Sequence, residues 1–433
     1  MGRKAFKNNM LKKVSLAILL GMLLLSNRVS AEEIIKAIRF EGNQVTQPSV
    51  MFREMYLAPG DELDENALQK SIQGIMDLRL FRSVDYYLES EFNPLTQNDD
   101  LTLVIVVVEK FYWIVLPRAK LQDDEQSIGV QVQWDNLFGL NHSLSMVAEN
   151  KGQTHGVTER QQRMSYRYPF IFDSPYRVDM EIAQGNTVDD NEVSGFINRK
   201  DQRLTMKLFR WMNADRRSNG WFSVLGFDYM QRQSVELFDN GVIDDTDALA
   251  LNFEYGFDNV HQYAYNRGGK GYGYKLLLSD EQFGSKSHFT NQELYYRSYY
   301  RFKSRPDENL NVRTRLGHST GDILDDAAYT LGSNRVLRGF DNNRFEGNSL
   351  LLINMEYIMP SSFARTFRYV YFLDLGNTYA EFSDMKSPSL NKGIGLGFRW
   401  KLPMFVNVDL RMDAGYAIDD DNFKVSFGTK QVF

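Results

Sequence analysis

The sequence predicts a signal peptide, then a small α+β domain, then an all-β transmembrane antiparallel barrel of about sixteen strands. The chain starts with a basic segment followed by an apolar one, as exported proteins do. After Leu25 no apolar run is long enough for a membrane helix, yet the 433 residues include 30 Phe and 23 Tyr. From about Phe111 onwards, strand-length segments alternate apolar and polar residues, the period of a strand with two different faces.

Residues 1–31 are predicted to be a signal peptide that is removed on export. Basic residues precede the apolar run 14–25, and residues 29–31 (Val-Ser-Ala) are short enough for cleavage. Because six of the 50 basic residues and none of the 56 acidic ones lie before position 32, the remaining chain carries a net charge of −12. This charge argues against nucleic acid as a partner.

Residues 32–110 are predicted to form the α+β domain. Ile34, Ile38 and Phe40 share one face of a first strand, a short helix covers 48–57, and Asp64 is placed to cap a second helix. Two strands follow, and the apolar run 101–108 is typical of a strand buried on both faces. This order of elements, with Phe-Glu-Gly-Asn closing the first strand, resembles a single POTRA (polypeptide-transport-associated) domain. The resemblance implies an exposed sheet edge that takes up an extended client segment.

Residues 111–433 are predicted to form the barrel. Segments 393–402 and 406–416 alternate apolar residues with polar or charged ones, and so many inward charges favour a barrel over a water-soluble sandwich. The last strand carries Phe423, Val425 and Phe427 at alternate positions, and the chain ends at Phe433. This ending resembles the C-terminal signal by which outer-membrane barrels are recognised for assembly. The longest uninterrupted loop, about 319–348, is predicted to follow the eleventh strand and to face the outside.

Motifs in the second half of the chain resemble the outer-membrane assembly-factor superfamily of BamA-like proteins. Residues 336–340 (Val-Leu-Arg-Gly-Phe) match its Arg-Gly-Phe/Tyr loop motif, with Leu337 between the usual Val and the Arg. Residues 354–357 (Asn-Met-Glu-Tyr) and 372–376 (Phe-Leu-Asp-Leu-Gly) are similar to its twelfth and thirteenth strands, and 393–397 to its fourteenth. The resemblance implies a sixth extracellular loop that folds back into the lumen.

The strand alternation supports a lock between this loop and the lumen. It turns Glu356 and Asp374 inward on adjacent strands, where two ionised carboxylates need a cation. Arg338 can supply a planar, bidentate partner that lysine could not match. Gly339 permits the turn, and Phe340 can pack as an anchor. We therefore predict that these five residues hold the loop inside the barrel.

A weak seam is predicted where the first strand meets the last. Pro117 lies in the first strand, and a proline removes a ladder donor, while Gly428 lies near the end of the last. The resemblance implies that clients template on this seam and leave sideways into the lipid. The alternative is that Pro117 only ends a short strand.

The resulting hypothesis is a non-enzymatic insertion, assembly or translocation factor in the bacterial outer membrane, with its POTRA domain in the periplasm. Unfolded outer-membrane or secreted proteins and membrane lipid are the expected partners, and accessory periplasmic proteins are left open. Gly317–Gly321 matches G-x-S-x-G, but no His follows His318, and the five His lack metal-ligand spacing. No catalytic residue, metal or cofactor is therefore predicted. The rivals are a two-partner-type secretion pore and a lipid-handling or structural barrel.

Overall fold

The structure is a computed structural model, and it describes most of the chain after the predicted signal peptide. The described residues are 34–93, 98–122, 125–154, 157–191, 195–212, 218–236, 241–324, 326–333, 336–386, 389–406 and 408–429. The predicted signal peptide and Phe433 lie outside these residues. Within them the chain forms a three-stranded sheet, a sixteen-stranded sheet and a two-stranded sheet. None of the helices described is long and apolar enough to cross a bilayer.

The N-terminal domain has the predicted order of elements. Its five elements are β1 (Ile35–Glu41), α1 (Pro48–Phe52), α2 (Glu65–Asp77), β2 (Phe81–Asn93) and β3 (Asn98–Glu109). The apolar strand β3 lies in the centre, parallel to β1 and antiparallel to β2. The Asp64 carboxylate accepts a hydrogen bond from the Asn66 backbone N at 2.9 Å, as an N-cap does. Helix α1 ends at Phe52, before the predicted residue 57.

The first strand corrects one prediction about the core of this domain. Ile34 is 52% exposed, whereas Ile35 is fully buried. The pairing of β1 with β3 shifts register between Ile35 and Ala37, and such an irregularity moves the side chains before it to the opposite face. Ile38 and Phe40 pack against the core as predicted, so only the start of the strand was assigned to the wrong face.

Sixteen of the eighteen strands that follow form one antiparallel sheet that curls into a nearly closed barrel. Eleven precede the long loop: β4 (Trp113–Gln122), β5 (Glu125–Leu137), β6 (His142–Thr154), β7 (Val157–Tyr168), β8 (Tyr176–Asn191), β9 (Gly195–Trp211), β10 (Gly220–Glu236), β11 (Val242–Gln262), β12 (Arg267–Ser279), β13 (Phe289–Phe302) and β14 (Arg305–Thr320). In the long loop lie β15 (Tyr329–Leu331) and β16 (Phe345–Gly347). Five follow it: β17 (Ser349–Pro360), β18 (Phe367–Tyr379), β19 (Asn391–Lys401), β20 (Asp409–Ala417) and β21 (Asn422–Thr429).

The sheet order follows the chain from β4 to β21, and β14 pairs directly with β17 across the long loop. The loop therefore lies between the eleventh and twelfth barrel strands. It is not the uninterrupted loop that the sequence predicts, because β15 and β16 pair within it as a short hairpin. Such three-residue strands are too short for a period-two pattern to stand out in the sequence.

The two faces of the barrel differ in polarity. On β19, Leu396 is 58% exposed on the outer face, whereas Arg399 is 2% exposed on the inner one. The outer faces of β20 and β21 likewise expose Tyr416, Phe423 and Phe427. An apolar outside and a charged inside are the pattern of a barrel that stands in lipid.

The N-terminal domain covers the barrel end that holds the short turns. The Gln47 backbone N donates to the Gly139 carbonyl at 2.9 Å, in the turn between β5 and β6. The Asp77 carboxylate, at the end of α2, accepts from the Gln262 backbone N at 2.7 Å. Because these contacts involve different turns of the barrel, the domain lies across the mouth rather than beside it.

Candidate functional site

The long loop, residues 321–348, folds into the barrel lumen. Leu337, Arg338 and Phe340 are each no more than 1% exposed, although they lie in the middle of a loop. The inner wall that they contact belongs to strands β17, β18 and β20. We call this contact the lumen anchor and define it by Arg338, Gly339 and Phe340.

Arg338 lies between both predicted carboxylates. Its Nε and one terminal nitrogen donate to the two oxygens of Asp374 at 2.7 and 2.8 Å, a bidentate pair. The other terminal nitrogen donates to Glu356 Oε1 at 2.7 Å. The Arg338 backbone N also donates to Asp374, at 3.1 Å. The three side-chain bonds use the guanidinium plane in a way that a lysine could not reproduce.

The charge network extends beyond the residues singled out from the sequence. Arg399 donates to Glu356 at 3.0 Å and to Asp413 at 2.6 Å, so it shares one carboxylate with Arg338. Asp413 also lies 3.7 Å from Arg338 and 3.5 Å from Arg411. All of these charges are nearly inaccessible to water. The alternation shows that Arg399 and Asp413 face inward, but not which neighbours they meet.

Two polar side chains complete the arrangement around Asp374. Asn354 donates to Asp374 and to the Val336 carbonyl of the loop, both at 2.7 Å. Arg313 on β14 in turn donates to the Asn354 carbonyl oxygen at 2.7 Å. The carboxylates thus face guanidinium and amide groups. Within the described residues, no group of three or more His, Cys, Asp or Glu side chains could hold a metal ion.

Glycines let the loop backbone lie against the strands. Gly339 has φ +97°, and a Cβ added there would lie 2.6 Å from the Ala417 backbone N. A Cβ on Gly393 would lie 2.2 Å from the Arg338 carbonyl oxygen, and one on Gly415 would lie 2.9 Å from the Gly339 N. The barrel wall therefore carries no side chain at Gly393 and Gly415, where the loop backbone lies against it. Side chains at these positions would displace the loop.

Aromatic rings pack against both Arg338 and Phe340 of the lumen anchor. The Arg338 guanidinium lies over the Phe372 ring at 3.5 Å from its centroid, a cation–π contact. Phe340 packs edge-on against Phe345 with ring centroids 5.3 Å apart. Phe340 and Leu337 belong to one buried apolar cluster that joins the loop hairpin to β17. Phe340 therefore anchors the loop through apolar contacts, while Arg338 anchors it through charge.

The same loop contacts the opposite wall near the outer rim. Arg232 on β10 donates to the Leu324 carbonyl at 3.0 Å and pairs with Asp326 and with Asp201 on β9. Leu324 itself joins an apolar cluster with Phe289 and neighbouring strands. We call this attachment the rim contact and define it by Leu324, Asp326 and Arg232. No sequence pattern predicts this contact, because residues 321–328 carry no periodicity.

The loop also reaches the last strand of the barrel. Asp341, directly after the anchor, forms an ion pair with Lys424 on β21. Arg344 pairs with Asp420, in the turn between β20 and β21, at 3.0 Å. The loop thus contacts the strand at one end of the sheet as well as the strands that precede it.

Strands β4 and β21 are the two ends of the sixteen-stranded sheet, and no ladder joins them among the described residues. The Tyr112 carbonyl accepts from the Asp135 backbone N at 2.6 Å, and the β4–β5 register is continuous from Trp113 onwards. Along an antiparallel ladder, residue pairs that exchange backbone hydrogen bonds alternate with pairs that do not. Tyr112 and Asp135 are a hydrogen-bonded pair, so by this alternation Pro117 and Val130 are a pair without hydrogen bonds. The ring nitrogen of Pro117 therefore points away from β5, towards the free edge.

Gly428 of the predicted seam and three residues of the predicted assembly signal lie on β21. Gly428 pairs with Arg411, and a Cβ there would come 3.3 Å from the Arg411 guanidinium, so this glycine makes room for an inward arginine. Phe423, Val425 and Phe427 are 62%, 42% and 65% exposed on the outer face. The three residues thus share a lipid-facing side, as the alternation predicts.

Comparison with known proteins agrees with this architecture. The Omp85 superfamily domain matches residues 136–430, and the POTRA family described as surface antigen variable number repeat matches residues 33–110. The chain is 24% identical over 426 residues to the outer membrane protein assembly factor BamA of Nitratidesulfovibrio vulgaris. That match covers 89% of this chain and 49% of the relative, so the chain spans about half the length of that curated relative.

Solved structures show the same fold at low sequence identity. BamA from Haemophilus ducreyi lacking POTRA domains 1–3 has a TM-score of 0.54 and 15% identity, covering 92% of this chain and 84% of that one. CdiB from Acinetobacter baumannii has a TM-score of 0.59 and 15% identity, covering 91% and 73%. CdiB from Escherichia coli has a TM-score of 0.62 and 13% identity, covering 92% and 76%. Since the Omp85 domain matches well over half of the chain, the protein belongs to the Omp85 superfamily, as an outer-membrane barrel with a periplasmic POTRA domain.

Proposed function

We propose that the protein inserts or assembles other proteins in the outer membrane by templating their strands at the seam between β4 and β21. The observation that carries this proposal is the seam itself, where β4 and β21 approach each other but no ladder joins them within the described residues. A free edge presents N–H and C=O groups on which an incoming strand can form a ladder. Pro117 further weakens the pairing of β4 with β21, because a backbone N–H at this position would have pointed towards β21.

The lumen anchor would hold the barrel wall in place while the seam exchanges partners. Arg338 joins the loop to β17 and β18, Gly339 lies against β20, and Asp341 pairs with Lys424 on β21. A wall fixed in this way keeps β21 in position as a template. Loss of the anchor would let β21 and its neighbours move independently.

The POTRA domain would capture clients before they reach the seam. Its edge strand β2 exposes Tyr87 and Phe92, which suits the addition of an extended, partly apolar segment. The expected clients are unfolded outer-membrane or secreted proteins, and the membrane lipid is the medium that receives them. Accessory periplasmic proteins remain an open class of partner, and no enzymatic step is proposed.

The test is a folding assay in liposomes. The purified mature protein is reconstituted, and the folding of a denatured barrel client is timed beside the variants Arg338→Glu and Arg344→Glu. Arg344 lies in the same loop with its side chain 53% exposed. Because Arg344 also pairs with Asp420, a second control, Lys303→Glu, changes the charge of an exposed lysine in the turn between β13 and β14 and isolates the charge change alone. We expect faster client folding with the unaltered protein and with both controls, and loss of the acceleration with Arg338→Glu.

A polypeptide secretion pore is the second candidate. Two polar cavities of about 790 and 1010 Å³ lie in the lumen beneath the POTRA domain, along the path that a translocated chain would take. In the same liposomes this function gives no acceleration of client folding. It gives instead an ion conductance that increases in Arg338→Glu, because the loop no longer closes the lumen.

A further inference from the structure

A basic cavity lies at the junction between the POTRA domain and the barrel. Its volume is about 790 Å³, within the range of pockets that hold small ligands. The POTRA domain contributes Arg79 and Lys110 to the lining, and the barrel contributes Arg267 and Lys401. The two parts of the chain thus direct cations into one space.

The positive charges of these side chains repel one another. Burial, with Lys401 and Arg79 close by, lowers the pKa of Lys110 to about 8. Burial and the nearby Arg267 likewise lower the pKa of Arg79 to about 10. The carboxylates that face Lys110 are Asp409 and Asp135, and they offset this repulsion only in part.

Arginines on the far wall of the cavity are paired in a different way. Arg118 pairs with Glu149 at 3.1 Å, and Arg167 pairs with Asp179 at 3.0 Å. Each of these has its own carboxylate, whereas the Lys110 Nζ donates to the Arg79 carbonyl, a neutral acceptor, at 2.8 Å. The hydrogen bond of Lys110 at the junction therefore leaves its positive charge unneutralised.

An unused hydrogen-bond donor lines the same cavity. The Nε2 of Gln262, which ends β11 and pairs with Arg267 at the start of β12, is buried without a partner among the described residues. A buried donor of this kind costs free energy unless something accepts its hydrogen. The cavity also borders both ends of the sheet, through Arg118 on β4 and Thr429 on β21. A ligand could reach it from the periplasm or from the seam.

We propose that this cavity binds a phosphate-bearing anion, held by Lys110, Lys401, Arg79 and Arg267 with Gln262 as a neutral donor. An oxyanion with several acceptor oxygens matches a set of converging cationic and amide donors. Bound there, it joins the POTRA domain to the barrel, because the two contribute cations to the same ligand. The phosphate could belong to a lipid headgroup entering at the seam or to a soluble molecule.

The first experiment is a calorimetric titration of the full-length protein in neutral detergent with inorganic phosphate and with sulfate. We expect Lys110→Gln and Lys401→Gln each to weaken binding by about tenfold, the effect of one charge-assisted contact. Lys303→Gln is the matched control, since Lys303 is an exposed lysine in the turn between β13 and β14. Binding that is absent, or equally strong in all three variants, would overturn the proposal.

The pH dependence of the unaltered protein provides a test that needs no variant. Lys110 is charged below its pKa of about 8, where it attracts the anion, and becomes neutral as the pH rises through that value. Sulfate keeps its charge over this range, so we expect its affinity to fall by about tenfold between about pH 7 and about pH 9.5. An affinity that does not change with pH would count against Lys110 as a ligand.

A competition experiment identifies the source of the phosphate. Sulfate binding is measured with the protein in nanodiscs of phosphatidylcholine and in nanodiscs that also contain phosphatidylglycerol. Weaker sulfate binding with phosphatidylglycerol in the unaltered protein, with no difference between the two membranes in Lys110→Gln or Lys401→Gln, supports a lipid headgroup. Equal sulfate binding in both membranes, together with loss in the lysine variants, supports a soluble phosphate compound.

Discussion

The long loop is attached to two walls of the same barrel by two different kinds of contact. At the lumen anchor, Arg338 and its partners Glu356 and Asp374 are at most 2% exposed. At the rim contact, Arg232 pairs with Asp201 and Asp326, whose side chains are 45% and 47% exposed. Both contacts centre on an arginine between two carboxylates. They differ in how much water and salt can reach the charges.

This difference in exposure implies different energetic roles. Removal of one member of a buried ion pair leaves a charge that water cannot solvate, which costs about 3–5 kcal/mol. An exposed pair contributes about 0.2–1 kcal/mol and is screened by salt. We therefore expect the lumen anchor to hold the loop more firmly than the rim contact, which can open at a smaller cost in free energy.

The largest effect is expected when the lumen anchor loses its charge. Arg338→Ala leaves Asp374 without its guanidinium partner, so the free energy of unfolding falls by about 3–5 kcal/mol. The loop should then be cut by protease while the unaltered protein resists. The measurement is the urea midpoint of unfolding in detergent, combined with the cleavage rate of residues 321–348. Arg344→Ala is the control, and equal cleavage rates in the two variants would argue against the anchor.

A smaller effect is expected at the glycine of the anchor. Gly339→Ala combines a strained φ with a Cβ 2.6 Å from the Ala417 N, which costs about 1–3 kcal/mol. Gly284→Ala separates the two causes, because Gly284 has φ +83° but no atom within 4 Å of its added Cβ. Protease cleavage of the loop should increase in Gly339→Ala and stay unchanged in Gly284→Ala. If both variants behave alike, the close contact with β20 has no role.

The two attachments also differ in how far the sequence predicts them. Alternation alone places Glu356 and Asp374 in the lumen, and the Arg-Gly-Phe motif then supplies their partner. Alternation also turns Arg399 and Asp413 inward, but a shift of two residues in strand register would preserve that pattern while changing every neighbour. Their contact with the anchor therefore follows only from the observed pairing of β19 with β20.

The rim contact lies beyond what the sequence can predict, because it joins a patternless loop segment to β10, far away in the chain. The face of Ile34 was wrong for a related reason, since a register irregularity in β1 leaves no mark on the alternation. The barrel, its sixteen strands and the POTRA domain were predictable because each rests on a pattern repeated over many residues. Single contacts between distant segments have no such repetition.

The smallest effect is expected at the rim contact, and its salt dependence is the sharper measurement. Arg232→Gln should lower the free energy of unfolding by no more than about 1 kcal/mol, because its carboxylate partners are half exposed. Hydrogen exchange should accelerate at residues 323–326 and stay slow around Arg338.

In about 1 M salt the stability of the Arg232→Gln variant and that of the unaltered protein should become alike, since screening already weakens the rim contact. The loss in Arg338→Ala should persist at the same salt concentration, because ions do not reach buried charges. If salt removed the stability losses of Arg232→Gln and Arg338→Ala equally, burial would not distinguish the two attachments. It would then not explain why the motif is placed in the lumen.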